Sequence, residues 1–230
     1  MNATMNIRFP IRFAAVATLA AASFPALALQ PFSAQYQASY MGMSASAQMQ
    51  LAPAGGNRWA YSLNIRSNVG EYLRSTTFDE NGGRLRPLDH SEKTSVLIKR
   101  KSSQATYDWN ARQATWTGDV KPDRAGPVPL QAGDTNALLV DLQLVQDIAA
   151  GKPLNYRSVD GGRAKAMKFV VSGKEKIQVA GQSRDATKAT YSNDDKQIVV
   201  WVVSGIPVPA RILQREDGQD SIDLRLSSWK

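Results

Sequence analysis

The chain has 230 residues, with no cysteine and a single histidine. This composition excludes disulfide bonds and the cysteine and histidine sites that hold zinc. The 28 Lys and Arg residues outnumber the 20 Asp and Glu residues, which gives a net charge of +8. This charge either serves solubility alone or favours acidic partners other than nucleic acid, such as lipid headgroups, lipopolysaccharide or cell-wall polymers.

The N-terminal segment has the parts of a secretory signal peptide. Arg8 and Arg12 precede an apolar stretch at residues 13–22, and an A-x-A pattern follows at residues 26–28. The apolar stretch is shorter than the roughly 20 residues that span a bilayer. We therefore predict cleavage of residues 1–28, which leaves residues 29–230 as one domain without a transmembrane segment. Because there is no cysteine for lipid attachment, we expect it free in the periplasm of a Gram-negative cell, not as a lipoprotein.

Strand patterns dominate the predicted mature chain. In FSAQYQASY, apolar and polar residues alternate from Phe32 to Tyr40, which is typical of a half-buried strand. SASAQMQL and RWAYSLNIR repeat the alternation after short turns. SVLIKRKSSQATYDW is predicted as a single strand, and further strands separated by Gly, Asn, Asp or Pro continue to SIDLRLSS. The pattern predicts an antiparallel, mainly-β fold.

One segment has helical periodicity instead. Apolar residues recur three and four positions apart in TNALLVDLQLVQDIAA, about residues 135–150. Asp134 or Asn136 suits the N-cap, and Gly151 and Pro153 favour termination of the helix. We predict one long helix with a strongly curved antiparallel sheet, a half-barrel or open barrel, wrapped around it.

Residues with catalytic or metal-binding chemistry are sparse. The one histidine, His90, lies in RPLDHSEK without a nucleophile elbow, and we expect it on an exposed strand edge. Asp194 and Asp195 do not follow the calcium-loop pattern and are expected in a hairpin turn. DGGRAK and VSGKEK lack the spacing of a phosphate-binding loop. The sequence thus predicts no catalytic residues, no metal and no cofactor, although it does not rule out an enzyme.

A basic run, Lys99, Arg100 and Lys101, follows the apolar residues VLI. Such a run either contacts a membrane surface or anionic headgroup, or forms a charged strand edge that discourages aggregation. We favour the edge, and keep the three side chains as candidates for binding an anionic surface.

The stretch KQIVVWVVSGIPVPARILQRED is apolar on both faces of its strand, with Trp201 at its centre. Such a strand has to be covered on both sides. Pro209 fits a strand only at an edge or a bulge, since it has no N–H for the ladder. Trp201 either packs against the helix or lines a cavity beside it.

The order of these motifs, from FSAQYQASY through PLQAGDTNALLVDLQLVQDIAAGKPL to IDLRL, resembles the exported proteins grouped as domain of unknown function 3108. The resemblance covers nearly all of the chain after residue 28. Its most specific positions are Asp134, Leu138, Leu139, Trp201, Pro207, Pro209, Arg211 and Gly218. Asn136 departs from the pattern, where a small or serine-like residue is expected.

That family is similar in architecture to the periplasmic lipoprotein-localisation factors, in which a curved sheet surrounds a helix and leaves an apolar cavity. The resemblance implies a non-catalytic carrier for a lipid, an acyl chain or a lipidated partner. An assembly factor that acts through a sheet edge or face, without a cavity, is the alternative. The residues predicted to line the cavity are Tyr36, Trp59, Tyr61, Leu138, Leu142 and Trp201.

Overall fold

The computed structural model describes residues 29–40 and 42–230, so the predicted signal peptide and Met41 lie outside the described residues. This part of the chain has fifteen β-strands, one α-helix and a short 3-10 helix at Pro122–Arg124. The strands are β1 Phe32–Tyr40, β2 Met43–Pro53, β3 Arg58–Ser67, β4 Gly70–Asn81, β5 Arg84–Val96, β6 Lys99–Asp108, β7 Gln113–Gly118, β8 Val128–Pro129, β9 Asn155–Asp160, β10 Arg163–Lys168, β11 Val170–Val179, β12 Gln182–Ser192, β13 Lys196–Val203, β14 Arg211–Glu216 and β15 Gln219–Trp229, and the helix, α1, is Ala137–Ala149.

Thirteen strands form one antiparallel sheet in the order β11-β12-β13-β14-β15-β1-β2-β3-β4-β5-β6-β7-β8. The sheet is therefore two meanders, β1–β8 and β11–β15, joined where the first strand pairs with the last. Among the described residues β11 and β8 are its two ends, and they do not pair with each other, so the sheet is not closed. Strands β9 and β10 form a separate hairpin that follows the helix. The prediction of a mainly-β antiparallel fold with a helix is confirmed.

The turns of the two meanders lie at two opposite ends of the sheet. Because successive strands run in opposite directions, the turns after β1, β3 and β5 lie at one end, which we call the upper end. The pairs Tyr40↔Ile222 and Lys196↔Glu216 place the turns after β12 and β14 at this end too. The turns after β3 and β5 are in contact, since the Leu97 N–H donates to the Val69 carbonyl at 3.0 Å.

The helix begins after Asn136, whose side-chain oxygen accepts a hydrogen bond from the Leu139 N–H at 3.0 Å. Asp134, the other predicted cap, instead pairs with Arg157 and accepts from the Gln131 N–H at 2.8 Å. Thr135 pairs with β9, donating to the Arg157 carbonyl at 3.1 Å. The helix is 13 residues long and shorter than predicted, because the backbone of Thr135 belongs to this strand pairing.

Side-chain contacts hold the second half of the helix against its neighbours. The Gln143 side-chain oxygen accepts from the Leu85 N–H at 2.9 Å. The buried carboxylate of Asp147 accepts from Arg84 Nη1 at 2.9 Å and from the Tyr156 hydroxyl at 3.1 Å. These contacts tie the helix to the start of β5 and to β9, so the helix has a fixed position on the sheet.

The structure corrects three local predictions. The run SVLIKRKSSQATYDW is not one strand, because a turn at Leu97 and Ile98 separates β5 from β6. Pro209 is not in a strand: it lies in the connection between β13 and β14, where its carbonyl accepts from the Tyr36 hydroxyl at 2.8 Å. His90 is not exposed, since only 5% of its surface is accessible.

Candidate functional site

A cavity of about 480 Å³ lies between the first half of the helix and the sheet, near the upper end. The helix contributes Ala137, Leu138, Val140 and Asp141. These positions are spaced one, three and four apart, so they share one side of the first two turns. The helix thus uses its second half for attachment and this side of its first half for the cavity.

The walls of the cavity are mainly apolar and come from both meanders. Strand β3 supplies inward-facing residues of its alternating pattern, and β13, β14 and β15 supply residues from the other meander. Phe169, between β10 and β11, adds an aromatic ring. The principal apolar wall residues are Leu63, Ile65, Phe169, Ile198, Ile212 and Leu224.

Three carboxyl groups line the cavity: Asp141 on the helix, and Glu71 and Glu216 on strands. Asp141 is half-buried, and its side chain has no hydrogen-bond or ion-pair partner among the described residues. Burial raises the pKa of Asp141 to about 7, an effect that the positive charges of Arg74 and Lys196 partly offset. Near neutral pH this carboxyl is therefore neutral in a large fraction of molecules, and it can donate or accept a hydrogen bond inside the cavity.

Two cations line the same cavity. Burial lowers the pKa of Lys196, whose Nζ lies 3.7 Å from the Glu216 carboxylate. Arg74 is held from behind by Asp160, with Nη2 and Oδ2 2.5 Å apart, and its Nε lies 3.4 Å from Glu92. The cavity thus combines an apolar wall with a few fixed polar groups, the usual composition of a small-ligand site.

A buried polar network fixes the start of the helix beside the cavity. Thr76 Oγ1 is 2.8 Å from His90 Nδ1 and accepts from the Asn136 amide at 2.9 Å. Asp160 accepts from the Ala137 N–H at 3.2 Å as well as from Arg74. This carboxylate is accordingly ionised, because Arg74 and His90 lower its pKa more than burial raises it.

The network explains why the only histidine is buried rather than at a strand edge. Burial, and to a smaller extent the charge of Arg74, lowers the pKa of His90 to about 4. The ring is therefore neutral at physiological pH, with one nitrogen that donates and one that accepts a hydrogen bond. His90 does not line the cavity, whereas Arg74 does. The geometry therefore gives His90 a structural role in positioning Asn136, the residue that caps the helix.

The cavity opens at the upper end. Tyr40, Met43, Val69 and Val96 all line it and are also exposed, at 45%, 45%, 39% and 42% of their surface. They lie in or next to the turns after β1, β3 and β5, so three neighbouring hairpins form an apolar rim on one side of the opening, which we call the mouth. Lys196 and Glu216 line the cavity near the turns of the other meander.

The residues predicted to line a cavity have different positions. Leu138 lies in the wall. Tyr36 and Tyr61 are packed in the core, where the Tyr61 hydroxyl donates to Met49 Sδ at 3.1 Å. Leu142 is buried elsewhere on the helix, and Trp59 packs at the edge of the core. These last four side chains do not reach the cavity surface.

Trp201 is not among the residues that line the cavity. It lies on the opposite face of β13 from Ile198, a residue of the cavity wall. Its ring packs between Arg211 and Lys188, the residues paired with it on the neighbouring strands, and its Nε1 donates to Glu175. The ring of Trp201 is thus covered by long charged side chains of the sheet itself.

Five charged residues of the cavity were missed from the sequence: Glu71, Arg74, Asp141, Lys196 and Glu216. Asp141 carries a recognisable signal, because it is the one charged residue within the apolar run LLVDLQLV. Arg74 and Lys196 carry no such signal, since basic residues at inward positions near strand ends look like ordinary surface charges.

None of the described helices is long and apolar enough to cross a membrane. Residues 29–40 and 42–230 also hold no group of three or more His, Cys, Asp or Glu side chains arranged to bind a metal ion.

Comparison with known proteins places the chain next to proteins of unresolved role. The model of the family described as "Protein of unknown function (DUF3108)" matches residues 35–225. None of the curated proteins compared with the chain matches its sequence.

Among solved structures, a β-barrel-like protein of domain of unknown function DUF1849 from Brucella abortus is similar, with 12% identity over 87% of this chain and 97% of that chain and a TM-score of 0.53. MucB matches at 10% identity over 87% of this chain and 52% of that chain, with a TM-score of 0.33. A domain titled putative outer membrane lipoprotein-sorting protein from Vibrio parahaemolyticus matches at 12% identity over 87% and 84%, with a TM-score of 0.23. The first of these likenesses supports a barrel-like fold.

Proposed function

The chain belongs to the family of proteins of unknown function DUF3108, and from that premise we propose that it is a non-catalytic binding protein of the cell envelope. Its ligand is an apolar chain, namely a lipid, an acyl chain or the lipid part of a lipidated partner, held between the helix and the sheet. The observation that carries this proposal is the cavity itself, which is apolar over most of its wall and open at one end.

The size of the cavity supports a small ligand. Sites for small molecules have volumes of about 300–1,000 Å³, and the cavity of about 480 Å³ lies in the lower half of that range. This volume favours one acyl chain or one small lipid over an anchor with several chains. Asp141, Arg74 and Lys196 would orient the polar end of such a ligand.

The positions of the residues that line the cavity also support a curved sheet. Thr94 of β5 and Ile198 of β13 both line it, although seven strand spacings separate β5 from β13 in the sheet order. In a flat sheet these strands would be roughly 34 Å apart at about 4.8 Å per spacing, too far to share one small cavity. This supports a sheet curved around the helix as a half-barrel, with the cavity on its concave side.

Location in the periplasm, without a lipid anchor, is part of the proposal. It rests on the predicted signal peptide and on the absence of cysteine from the sequence. An apolar cavity that opens to the solvent suits a carrier which shields a ligand from water between two membranes.

The alternative of an assembly factor that uses a sheet edge has less support. The end strand β11 is largely exposed, but it carries Lys174, Glu175 and Lys176 and a register shift at Gly173. Charges and bulges are features that protect an edge from pairing with another chain. The opposite end strand, β8, is only two residues long.

Two measurements test the proposed function. Native mass spectrometry of protein purified from the periplasm should show a reproducible bound lipid. Ala45→Phe, which places a ring in the cavity wall, should remove that lipid, whereas Ala52→Phe should keep it, since Ala52 is on the same strand but on the opposite face. A protein that carries no lipid and binds no fluorescent fatty acid after purification would contradict a carrier role.

A further inference from the structure

The apolar side chains exposed by the described residues are concentrated at the upper end. Of the eight large apolar residues that are exposed there and elsewhere, six lie in or directly next to the turns after β1, β3 and β5: Tyr40, Met43, Val69, Val96, Leu97 and Ile98. Exposed apolar surface of this kind marks an interaction site when it is contiguous. Here it also borders the mouth on one side.

The turn between β5 and β6 is the most exposed part of this surface. Leu97 and Ile98 form the whole turn and are 78% and 96% exposed. Leu97 has a φ of 53°, in the left-handed region where glycine is preferred. The turns at 82–83 and 161–162 use two glycines with positive φ, and at 180–181 and 217–218 Ala180 and Asp217 have positive φ before a glycine. Leu97 is the one large apolar residue among the four non-glycine residues with positive φ in the described part of the chain, and a leucine costs strain at such a position.

The base of this turn is held firmly. The Leu97 N–H donates to the Val69 carbonyl at 3.0 Å. At Gly70 a Cβ atom would lie only 2.3 Å from the Ser95 carbonyl oxygen, so β4 and β5 approach closely just below the turn. Leu97 and Ile98 are thus presented from a well-paired hairpin rather than from a long loop.

Positive charge lies directly behind the turn. Lys93, Lys99, Arg100 and Lys101 are exposed, form no ion pair with the described residues, and have no acidic residue between them in the sequence. Pairing of β6 with β7 starts only at Ser103, so the hairpin extends beyond its neighbour on that side. An apolar tip with basic residues next to it on the same hairpin complements a membrane with anionic headgroups.

We propose that the β5–β6 turn inserts into the surface of an anionic phospholipid bilayer and holds the mouth of the cavity against it. Leu97 and Ile98 enter the apolar side of the headgroup region, Val69 and Val96 lie at its boundary, and Lys99, Arg100 and Lys101 contact the headgroups.

Acidic residues elsewhere at the upper end determine how the molecule is oriented on the bilayer. The turns after β12 and β14 carry Asp194, Asp195 and Asp217, and an anionic surface repels them. Contact is therefore confined to the β3–β4 and β5–β6 hairpins, with the molecule tilted so that the acidic turns stay in water. The purpose of the contact, transfer of a ligand through the mouth, rests on the proposed function, but adsorption to the bilayer does not.

The test is co-sedimentation of the exported chain with vesicles of phosphatidylcholine alone and of phosphatidylcholine mixed with phosphatidylglycerol. We expect binding to the mixed vesicles only, weakening as salt is added. Leu97→Gly with Ile98→Asn gives the turn residues that suit its backbone, so it should fold at least as well as the parent protein and bind at least tenfold more weakly. Lys99→Gln, Arg100→Gln and Lys101→Gln together should weaken binding by about 100-fold, since each cation near such a surface contributes about a fivefold effect.

A matched charge control separates this site from the general positive charge. Arg58→Gln, Arg112→Gln and Lys152→Gln remove the same charge from exposed positions near the lower end of the sheet and should leave vesicle binding within about twofold of the parent. Equal loss in the control and the Lys99 to Lys101 variant, or unchanged binding by the turn variant, would overturn the proposal. Ala45→Phe should adsorb normally even where it carries no lipid, so failure of the proposed function and failure of this inference give different results.

Discussion

The guanidinium carbon of Arg211 lies 4.6 Å from the centre of the Trp201 ring, on the outer face of the sheet. The same guanidinium donates two hydrogen bonds to Asp223, at 2.8 and 2.9 Å, and Lys188 Nζ lies 5.4 Å from the ring centre. The ring is therefore a structural part of the sheet, packed between strands β12 and β14.

Trp201→Phe should lower the free energy of unfolding by about 1–2 kcal/mol, because it weakens the cation–π contact and removes the indole N–H that bonds Glu175. Trp201→Ala should lower it by about 3–5 kcal/mol. Urea denaturation measures both changes. Lipid content should stay the same in the phenylalanine variant, and a loss of lipid at nearly unchanged stability would place Trp201 on the ligand's path instead.

Asp141→Asn should stabilise the protein at high pH. Since the folded pKa of Asp141 is raised to about 7, its ionisation costs stability, and this cost is absent below about pH 4 and grows as the pH rises to 7. We expect the variant to be more stable than the parent by about 2 kcal/mol at pH 8, where water in the cavity moderates the cost, and equal to it at pH 4. Denaturation curves at the two pH values measure this difference.

The affinity for an apolar ligand should also depend on pH through Asp141. An apolar ligand displaces water from Asp141 and so favours its neutral form, which means that affinity for a fluorescent fatty acid falls as the pH rises through 7. Arg74, Lys196, Glu71 and Glu216 also line the cavity, so the Asp141 variant is needed to identify which group is responsible for the profile. Asp141→Asn should flatten the profile, and an unchanged slope in that variant would exclude Asp141 as its source.

His90→Asn should reduce sensitivity to acid. The folded pKa of His90 is lowered to about 4, so its contribution to stability is complete above pH 6.5 and is lost as the pH falls towards 4. The loss is about 3 kcal/mol over that interval. As the pH rises over this interval, His90 increases the stability and Asp141 decreases it, so the two effects partly cancel in the parent protein. Each single variant should therefore show the pH dependence of stability that belongs to the residue it retains. Unfolding measured from pH 4 to 7 in both variants checks this, and parallel slopes would contradict it.

Asp147→Asn should destabilise the protein by about 1–3 kcal/mol, because the carboxylate is buried and accepts from Arg84 and Tyr156. Asp185→Asn is a suitable control, since the Lys176–Asp185 pair is 71% and 77% exposed and should contribute less than about 0.5 kcal/mol. Similar effects of the two changes, measured in urea, would show that the helix is not held through Asp147.

The strands and the helix could be predicted because their evidence is local. Alternation places Phe32, Ala34 and Tyr36 on one face, and that face is buried. The sequence offered Asp134 or Asn136 as the cap from their side chains alone, and Asn136 has that role. The division of one predicted strand at Leu97 was missed, because the chain turns there without the glycine, asparagine or proline that normally signals a turn.

The cavity could be predicted only in outline. Alternation shows that Tyr61 and Ile65 face inward, but not that the first is enclosed by the core while the second borders empty space. That difference depends on where the helix lies along the sheet, and its position is set by Gln143, Asp147 and the Thr76–His90–Asn136 contacts. These contacts join residues far apart in sequence, so no local pattern reveals them.

The pairing of the first strand with the last also determines when the sheet can be completed. Each meander can form hairpin by hairpin as the chain emerges, since its strands pair with their immediate neighbours. Strand β1, however, gains its second neighbour only when β15 pairs with it, from Ile222 opposite Tyr40 to Trp229 opposite Ala34. Until β15 pairs, β1 presents an open edge, and a partner that occupied this edge would delay completion of the sheet.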